Sequence, residues 1–321
     1  MSTIRVATRD AYGKTLVELG RTNKDIVALD ADLAESTRSA WFGHEFPDRF
    51  FDVGIAEENL ITVAAGLATC GKIPFANTFA VFATERAYNQ IRQVVAYTSL
   101  NVKIVASHGG VTVGEDGTSH HGIFDIALMR ILPNMTVVVP ADGTETVMAT
   151  RAIAAHVGPV YMRTGRAAVP LIYEEGFKLG GKQLEFKLGK AVTIKEGKDM
   201  TIVATGLMVS EALSAVELLS KEGISAGLID MHTIKPLDVE AICSAAQTTG
   251  AIVTAEEHTV IGGLGSAVAE ALSQRVPVPI EMVGIKDVFT ESGSASELLK
   301  KYGLTAFDIA SAAKAVLRRK K

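Results

Sequence analysis

The sequence predicts an α/β protein of two consecutive domains, each built on a parallel sheet. Short β-branched and apolar runs alternate with stretches of helical period along almost the whole chain, as in parallel sheets covered by helices on both faces. The length of 321 residues also favours two domains. The alternation breaks over Glu174–Gly197, which is rich in Gly, Lys and Glu, so we expect one domain over residues 1–180 and a second over residues 190–321.

The first domain is predicted to contain five strands and four helices. Its strands are nearly continuous apolar runs, typical of burial on both faces, over Asp25–Leu29, Phe50–Val53, Val102–Ala106, Met135–Val139 and Val160–Arg163. Its helices carry apolar residues at three- and four-residue spacing, over Arg9–Leu19, Glu57–Thr69, Ala83–Tyr97 and Thr144–His156. We expect Gly20 and Gly71 to be left-handed C-caps of the first two helices.

The second domain is predicted to be a smaller unit of the same kind. Its strands are placed at Met200–Ala204, Ala226–Ile229, Ala251–Ala255 and Ile280–Val283, and its helices at Met208–Glu222, Val239–Thr248 and Gly265–Gln274. The glycine-rich turn at 262–265 has the spacing of a dinucleotide-binding loop only in part, because Val268 stands at the third small position. We therefore expect a tight turn that opens a helix.

Composition excludes several classes of partner. Lys and Arg number 32 against 36 Asp and Glu, so there is no surplus of positive charge for nucleic acid. Two cysteines far apart, Cys70 and Cys243, cannot build a disulfide framework, and no apolar run approaches the roughly 18 residues of a membrane span. Charge follows the first methionine too early for a signal peptide, so we expect a cytoplasmic protein with no membrane partner.

A carboxylate follows the predicted strand that ends at Val53. The turn Gly54-Ile55-Ala56-Glu57-Glu58-Asn59 opens an apolar helix at the carboxyl edge of the sheet, where open α/β sheets collect ligands. An enclosed glutamate can have a raised pKa suited to proton exchange. Glu57 and Glu58 equally fit a helix N-terminus, where acidic residues complement the dipole. The turn alone does not decide between these roles.

A glycine-rich loop over Ser107–Gly122 follows another buried strand. It holds His108, His120, His121 and two acids, one of them Asp116, on a frame that can approach a polyhydroxylated or phosphorylated ligand closely. His108, Asp116 and His120 are also competent metal ligands, although their spacing matches no helical metal motif. The third interpretation is a purely structural loop, although burial of so many polar groups would cost free energy.

Aromatic and basic residues complete the candidate set. Phe79 and Phe82 are three apart, which fits core packing or a wall that stacks on a flat heterocycle. Arg9, Arg163 and Arg166 flank predicted element ends, where arginine suits bidentate phosphate binding or surface ion pairs.

Taken together and in this order, the motifs resemble the C-terminal two-thirds of transketolase, a thiamine-diphosphate enzyme. The resemblance covers essentially the whole chain, and it rests on Ala7-Thr8-Arg9, Gly54-Ile55-Ala56-Glu57, Thr78-Phe79-Ala80-Val81-Phe82, the loop from His108 through His120, Pro140-Ala141-Asp142-Gly143, His232-Thr233-Ile234-Lys235-Pro236-Leu237-Asp238 and Glu256-Glu257-His258. It implies a pyrimidine-binding domain followed by a transketolase C-terminal domain.

The Gly-Asp-Gly motif of the family's N-terminal domain, which holds the divalent metal and the pyrophosphate, does not occur. The chain therefore resembles the C-terminal subunit of a split transketolase that needs a separate pyrophosphate-binding subunit. The resemblance implies thiamine diphosphate as cofactor, Mg²⁺ or Ca²⁺ held mainly by that partner with no metal ligand in this chain, an assembly of two copies of each subunit, and sugar phosphates as substrates.

The resemblance also assigns roles to single residues. Glu57 matches the glutamate that hydrogen-bonds the pyrimidine N1′, Phe79 and Phe82 match aromatics of that pocket, and Asp32 matches an acid near the thiazolium. Tyr88 is a candidate for the third pocket aromatic. Arg9, Ser36, His108 and Arg163 fall on positions that hold the sugar phosphate, Asp116 on an acid that binds a substrate hydroxyl, and His120 on a histidine beside the reacting carbons. His121 has no assigned counterpart.

Two other functions remain open. Deoxyxylulose-phosphate synthase shares the Gly-x-Asp-Gly-x-x-His pattern and a run like Arg86-Ala87-Tyr88-Asn89-Gln90, but His108 and Glu115 favour transketolase. A non-catalytic binding or regulatory subunit is the second alternative. Retention of Glu57, His108, Asp116 and His120 together argues against it.

Overall fold

The computed structural model describes residues 4–320. The strands are β1 Arg5–Ala7, β2 Ile26–Asp30, β3 Phe50–Asp52, β4 Ile73–Phe79, β5 Lys103–Ser107, β6 Thr136–Val138, β7 Val160–Arg163, β8 Ala168–Pro170, β9 Lys178–Leu179, β10 Lys182–Gln183, β11 Val192–Lys195, β12 Met200–Ala204, β13 Ala226–Asp230, β14 Thr233–Lys235, β15 Ile252–Thr259 and β16 Ile280–Ile285. The α-helices are α1 Thr8–Thr22, α2 Ala34–Thr37, α3 Ala40–Glu45, α4 Glu57–Thr69, α5 Tyr88–Gln90, α6 Asp125–Arg130, α7 Gly143–Ala155, α8 Met208–Lys221, α9 Val239–Thr249, α10 Leu264–Ser273, α11 Ala295–Lys301 and α12 Ala306–Arg319.

Two largely parallel sheets confirm the predicted α/β class. The first has seven strands in the order β14-β6-β7-β5-β4-β2-β3, and the second has five in the order β11-β13-β12-β15-β16. Only β14 and β11, each at a sheet edge, run antiparallel to their neighbours. Because parallel strands end on the same side, the carboxyl ends of β2, β4, β5 and β7 meet at one edge of the first sheet.

The central strand β4 was not predicted. Pro74, Asn77 and Thr78 interrupt its apolar pattern, and a proline ordinarily argues against a central strand. Asn77 is buried. Its side-chain amide donates to the carbonyls of Leu29, at 2.8 Å, and Phe75, at 2.9 Å, and these hydrogen bonds compensate for the burial. Tertiary hydrogen bonds thus stabilise a strand that local propensity does not indicate.

The helix predicted over Ala83–Tyr97 is broken. Two π-helical turns, Phe82–Arg86 and Ile91–Ala96, flank the short helix α5. Wide turns of this kind occur frequently at functional sites. Here the first one follows β4 directly and lies at the carboxyl edge of the sheet.

The two glycines predicted as caps differ. Gly71 is left-handed, at φ +81°, just past the end of α4. Gly20 instead lies inside α1, which continues to Thr22. A Cβ atom at residue 20 would lie 2.5 Å from the Phe42 ring, so this glycine serves close packing.

The predicted break at 174–197 is structured. It contains a small hairpin, β9 and β10, and β11, which joins the second sheet. Tyr173, Phe177 and Val192 are buried together, and Phe186 stacks on His232 at 4.2 Å. The domain ranges stay a prediction.

Two C-terminal helices, α11 and α12, lie beyond the last predicted element. Both begin with a capping box, Ser294 with Glu297 and Thr305 with Asp308. The spacing of a Ser or Thr three residues before an acid is a helix-start signal present in the sequence.

Candidate active site

The candidate site lies at the carboxyl edge of the first sheet, and Glu57 forms one end of it. Glu57 is the first residue of α4, and its side chain is only 6% exposed. Its carboxylate Oε1 lies 3.0 Å from Nη1 of Arg86. The sequence indicated either a ligand-binding carboxylate or a charge that complements the helix N-terminus. In the structure, this buried acid forms an ion pair with the more exposed Arg86.

A row of stacked rings leads away from Glu57. The guanidinium of Arg86 lies over the Phe82 ring at 4.2 Å, and Phe82 stacks on Phe79 with centroids 5.7 Å apart. Phe79 in turn stacks on His108, centroid to centroid 3.7 Å. The row therefore connects Glu57 to the glycine-rich loop.

His108 is buried and neutral at the far end of this row. Burial, followed by the charges of Arg9, Arg166 and Arg38, lowers its pKa to about 3. Arg9 can only donate, so Nε2 of His108 accepts from Arg9 Nη1 at 3.3 Å, and Nδ1 carries the proton donated to Ser107 Oγ at 2.8 Å. His108 adopts a left-handed backbone, at φ +59°, which is a strained conformation of the kind that concentrates at active sites.

Three arginines bring positive charge to His108. Arg9 also donates to the carbonyl of Ser36 at 3.0 Å, and its Nε has no hydrogen-bond partner within residues 4–320. Arg166 lies 3.6 Å from Asp116, and Arg38 binds Asp10 at 2.6 Å. Arg9 thus brings the predicted residues Ser36 and His108 together, while Arg166 adds Asp116.

His120 closes the cleft from the side. Its ring meets Phe82 edge-on at 5.3 Å and Phe79 at 6.4 Å. Ser119 Oγ lies 3.0 Å from its Nδ1. His120 is therefore placed against the same aromatic row as His108.

His121, which the sequence left without a role, ties the loop to the second domain. Nε2 donates to the carbonyl of Gly114 at 3.0 Å, so Nδ1 accepts from the hydroxyl of Thr290 at 2.7 Å. Burial lowers the pKa of His121. The side chain therefore anchors the loop to the segment that carries Thr290.

Arg163 lies outside the hydrogen-bond network that joins Arg9 and His108. Its side chain is 5% exposed, lies 3.5 Å from Asp125, and donates to the Glu257 carbonyl at 2.8 Å. The guanidinium lies directly beneath Gly109, where a Cβ atom would meet its Nε at 2.0 Å. Arg163 therefore supports the loop that carries His108, and its substrate contact stays a prediction. Arg166, three residues further on, is the more exposed of the two arginines.

Asp32 lies at the rim of the site. It is exposed, adopts φ +62°, and its amide donates to Asp52 at 3.1 Å. The neighbouring buried acid, Asp30, accepts from Thr37 at 2.7 Å and Ser39 at 2.8 Å. Burial raises the pKa of Asp30 to about 6. Asp30 thus fixes the segment that carries Ser36.

Sequence reasoning missed three other residues. Arg38 has no motif to mark it, and Arg86 was quoted only as part of a synthase-like run. Glu257, buried against Gly110, accepts from the Thr112 amide at 2.6 Å. Its pKa is raised to about 7 by burial. Tyr88, the candidate third aromatic, packs against a hydrophobic core that extends into the second domain, and Arg86 lies over Phe82.

The glycine-rich turn of the second domain binds an internal anion. The carboxylate of Glu256 accepts from the amides of Leu264, at 2.7 Å, and Gly265, at 2.8 Å, at the start of α10. This is the anion position of a helix N-terminus, occupied by the chain's own side chain. The expectation of a helix-opening turn is confirmed by α10.

Neither a metal cluster nor a membrane span is found within the described part of the chain. No three His, Cys, Asp or Glu side chains between residues 4 and 320 are arranged to hold a metal ion, which includes His108, Asp116 and His120. Over the same residues, every helix is too short or too polar to cross a bilayer.

The fold and site define a class of protein with a pyrimidine-binding domain followed by a C-terminal α/β domain. Residues 5–171 match the transketolase pyrimidine binding domain, and residues 189–309 match the transketolase C-terminal domain. The chain belongs to the transketolase family.

This chain covers almost the full length of several relatives. A putative transketolase C-terminal section from Methanocaldococcus jannaschii is 49% identical, over 97% of this chain and 96% of its own length. A 6-deoxy-6-sulfo-D-fructose transketolase subunit from Clostridium sp. is 46% identical, over 97% and 95%. The solved structure of a split gene transketolase, an inactive beta4 tetramer, is 52% identical with a TM-score of 0.91, covering 98% of this chain and 100% of that one. The chain thus corresponds to the C-terminal section of a split transketolase.

Proposed function

We propose that the chain is the C-terminal subunit of a thiamine-diphosphate-dependent transketolase. The enzyme moves a two-carbon ketol unit from a ketose phosphate, such as xylulose 5-phosphate, to an aldose phosphate, such as ribose 5-phosphate. One observation carries the proposal: a single row of stacked rings joins the buried carboxylate of Glu57 to His108 and its arginines. A proton-exchanging acid and an anion-binding cleft thus lie at opposite ends of one aromatic wall.

The residues at the Glu57 end fit an aminopyrimidine ring. Arg86 shows that a flat hydrogen-bonding group can lie over Phe82 while it contacts the Glu57 carboxylate. The cofactor, when bound, supplies a nucleophilic carbon for attack on the ketose carbonyl. Glu57 would exchange a proton with the ring N1′, while Phe82 and Phe79 exclude water and strengthen that contact. Asp32 stays a predicted neighbour of the thiazolium.

The residues at the His108 end fit a substrate anion. Among residues 4–320, the buried Nε of Arg9 has no hydrogen-bond partner, and Arg166 is partly exposed. Both arginines would therefore make charge-assisted hydrogen bonds to a phosphate. Ser36 and His108 lie within the same network. Asp116 would bind a substrate hydroxyl, and His120, on the aromatic row, would move protons during cleavage of the carbon–carbon bond.

A separate N-terminal subunit would complete the site. It would hold the pyrophosphate and a divalent metal, Mg²⁺ or Ca²⁺, and two copies of each chain would form the assembly. The similarity to a C-terminal section and to a split gene transketolase supports a separate partner. A cytoplasmic location stays a prediction.

Substrate chemistry is the part that the relatives leave most open. The Clostridium relative is named for a sulfonated fructose. A sulfonate and a phosphate both present oxygen acceptors to paired arginines, so Arg9 and Arg166 would bind either. A 6-sulfonated ketose is therefore the second donor to compare with xylulose 5-phosphate in an assay of ketol transfer.

The first test is a coupled assay of ketol transfer from xylulose 5-phosphate to ribose 5-phosphate with thiamine diphosphate and Mg²⁺. It is run with the chain alone and with a candidate pyrophosphate-domain subunit. Activity only in the mixture is expected. Activity of the chain alone would contradict the need for a partner, while tight association without transfer would favour a synthase or a regulatory subunit.

The second test is Glu57→Gln in the two-subunit assembly. Loss of the proton-exchanging group should lower kcat by roughly 10²- to 10⁴-fold, with assembly unchanged. Glu217→Gln, at an exposed position of α8, is the matched control and should retain activity. Normal turnover of the Glu57 variant would exclude the proposed proton exchange.

A further inference from the structure

Arg86 occupies the place that the proposed cofactor ring would take. Its guanidinium is planar, carries hydrogen-bond donors, lies 4.2 Å from the Phe82 ring centroid and lies 3.0 Å from Glu57. An aminopyrimidine is likewise planar and hydrogen-bonding. Phe82 stacks on Phe79 and also contacts the guanidinium of Arg86. Arg86 therefore makes the last ring contact at the Glu57 end of the row.

The contact is placed to open without disturbing the core. The side chain of Arg86 is 52% exposed, whereas that of Glu57 is 6% exposed. Both residues line an open surface groove together with Ile55, Glu58 and Asn59. Arg86 also ends the π-helical turn that Phe82 begins, so rotation of the arginine side chain needs no movement of the turn.

We propose that Arg86 closes the pyrimidine pocket of the unloaded chain and must leave it when the cofactor binds. The inference rests on the proposed function, since it takes the Glu57 end as a pyrimidine site. A guanidinium stabilises the ionised form of a carboxylate that would otherwise be buried alone. Arg86 therefore stabilises the empty site, and cofactor binding competes with it for Glu57 and for Phe82.

Thiamine is the probe that isolates this competition, because it carries the aminopyrimidine and lacks the pyrophosphate. Its Kd for the full chain is measured by ligand-observed NMR titration, independently of activity. Arg86→Met keeps an unbranched stem but removes the charge and the planar donors. We expect its Kd for thiamine to fall about tenfold, or ~1.4 kcal/mol.

Two variants control the result. Arg92→Met removes an exposed arginine that donates to Asn89 at 3.1 Å, and it should bind thiamine as the wild type does. Arg86→Lys keeps the charge without the planar stack, so its Kd should lie between those of the wild type and Arg86→Met. It also serves if the methionine variant does not fold.

The outcomes separate the two proposals. Unchanged or weaker thiamine binding by both Arg86 variants would overturn the closure while leaving the pyrimidine site in place. Absence of thiamine binding by the folded wild type and all folded variants would overturn the pyrimidine site itself, and the closure with it. If Arg92→Met also binds thiamine more tightly, the change in affinity comes from general surface charge, and the proposed closure by Arg86 is overturned.

Discussion

At the scale of single residues, His108 acts through its hydrogen bonds and carries no charge near neutral pH. With a pKa of about 3, it cannot supply positive charge to a bound anion. That charge comes from Arg9, Arg38 and Arg166, which are also causes of the lowered pKa. At this end of the site, His108 is therefore a neutral imidazole, and the arginines supply the positive charge.

Substitution of Arg166 tests the assignment of the phosphate contact. Arg166→Ala should raise KM for phosphorylated substrates roughly 10- to 100-fold, since charge-assisted hydrogen bonds are worth about 1.5–3 kcal/mol. KM for hydroxypyruvate, which lacks the phosphate, should change little. Steady-state kinetics with both donors check the difference, and equal effects on the two would contradict a phosphate role.

Arg163→Ala is the informative comparison. It leaves the buried carboxylates of Asp125 and Glu257 unpaired, so it should lower the free energy of unfolding by about 3–5 kcal/mol. Denaturant unfolding measures this loss. The sequence could not separate Arg163 from Arg166, because one ends the predicted strand and the other lies three residues beyond it. Burial and ion pairing distinguish them.

At the scale of elements, the glycine-rich loop is held in place by the second domain. His121 binds Thr290, Gly110 packs on Glu257, and a Cβ atom at Gly117 would meet Ser292 at 2.4 Å. Gly110 and Gly117 have φ values of +87° and +77°, which only glycine adopts readily. The loop's geometry thus depends on contacts far away in sequence.

Removal of one of these contacts should make the loop more mobile while leaving every residue of the site in the chain. Thr290→Val deletes the hydroxyl that donates to His121. We expect faster amide hydrogen exchange over residues 114–121 and a several-fold lower kcat, because Asp116 and His120 lose their fixed positions. Thr248→Val, at an exposed hydroxyl within α9, is the control. Unaltered exchange in the Thr290 variant would refute the anchoring role of His121.

Local pattern predicts most elements but not those that depend on tertiary contacts. Helices α1, α4, α7, α8 and α9 follow apolar periodicity, and the sequence places them within a few residues. Strand β4 and the π-helical turns do not follow such a periodicity. The hydrogen bonds of Asn77 stabilise β4, and the π-helical turn that places Phe82 and Arg86 interrupts the predicted helix. The sequence motifs predicted Glu57 and His108 as site residues. The stacking of Phe82 and Phe79 between them could not be predicted, because it depends on the three-dimensional arrangement of the side chains.

At the scale of the whole molecule, buried acids join the two domains. Asp142 caps α7 and accepts from the amides of Ile172, at 2.6 Å, and Tyr173, at 2.9 Å. Tyr173 donates to Asp230 of the second sheet at 2.7 Å. Burial raises the pKa of Asp230 to about 7, and burial with the charge of Asp230 raises that of Glu145 well above its ordinary value. One proton is therefore retained in the domain interface at pH values where exposed acids have lost theirs.

This retained proton makes stability depend on pH. The pKa of Asp230 is near 3.8 when unfolded and about 7 when folded, so its contribution is complete below 3.8 and is lost as the pH rises to 7. Asp230→Asn should reduce the fall in unfolding free energy between pH 5 and pH 8, because the folded variant has one buried acid fewer to lose its proton over that range. Denaturant unfolding at both pH values is the measurement. The exposed Asp48→Asn should follow the wild type, and an identical pH dependence in the Asp230 variant would disprove the assignment.

The crossing of β14 has a consequence for any attempt to exchange domains between relatives. β14 pairs with β6 of the first sheet, yet β11, β12 and β13, which precede it in the chain, belong to the second. A junction before residue 190 would deprive the first sheet of its edge strand and expose β6 to pairing with other chains. A junction after residue 235 would divide the second sheet. No single crossover point therefore transfers one intact sheet, and a chimera must be designed around the interlocked pair as one unit.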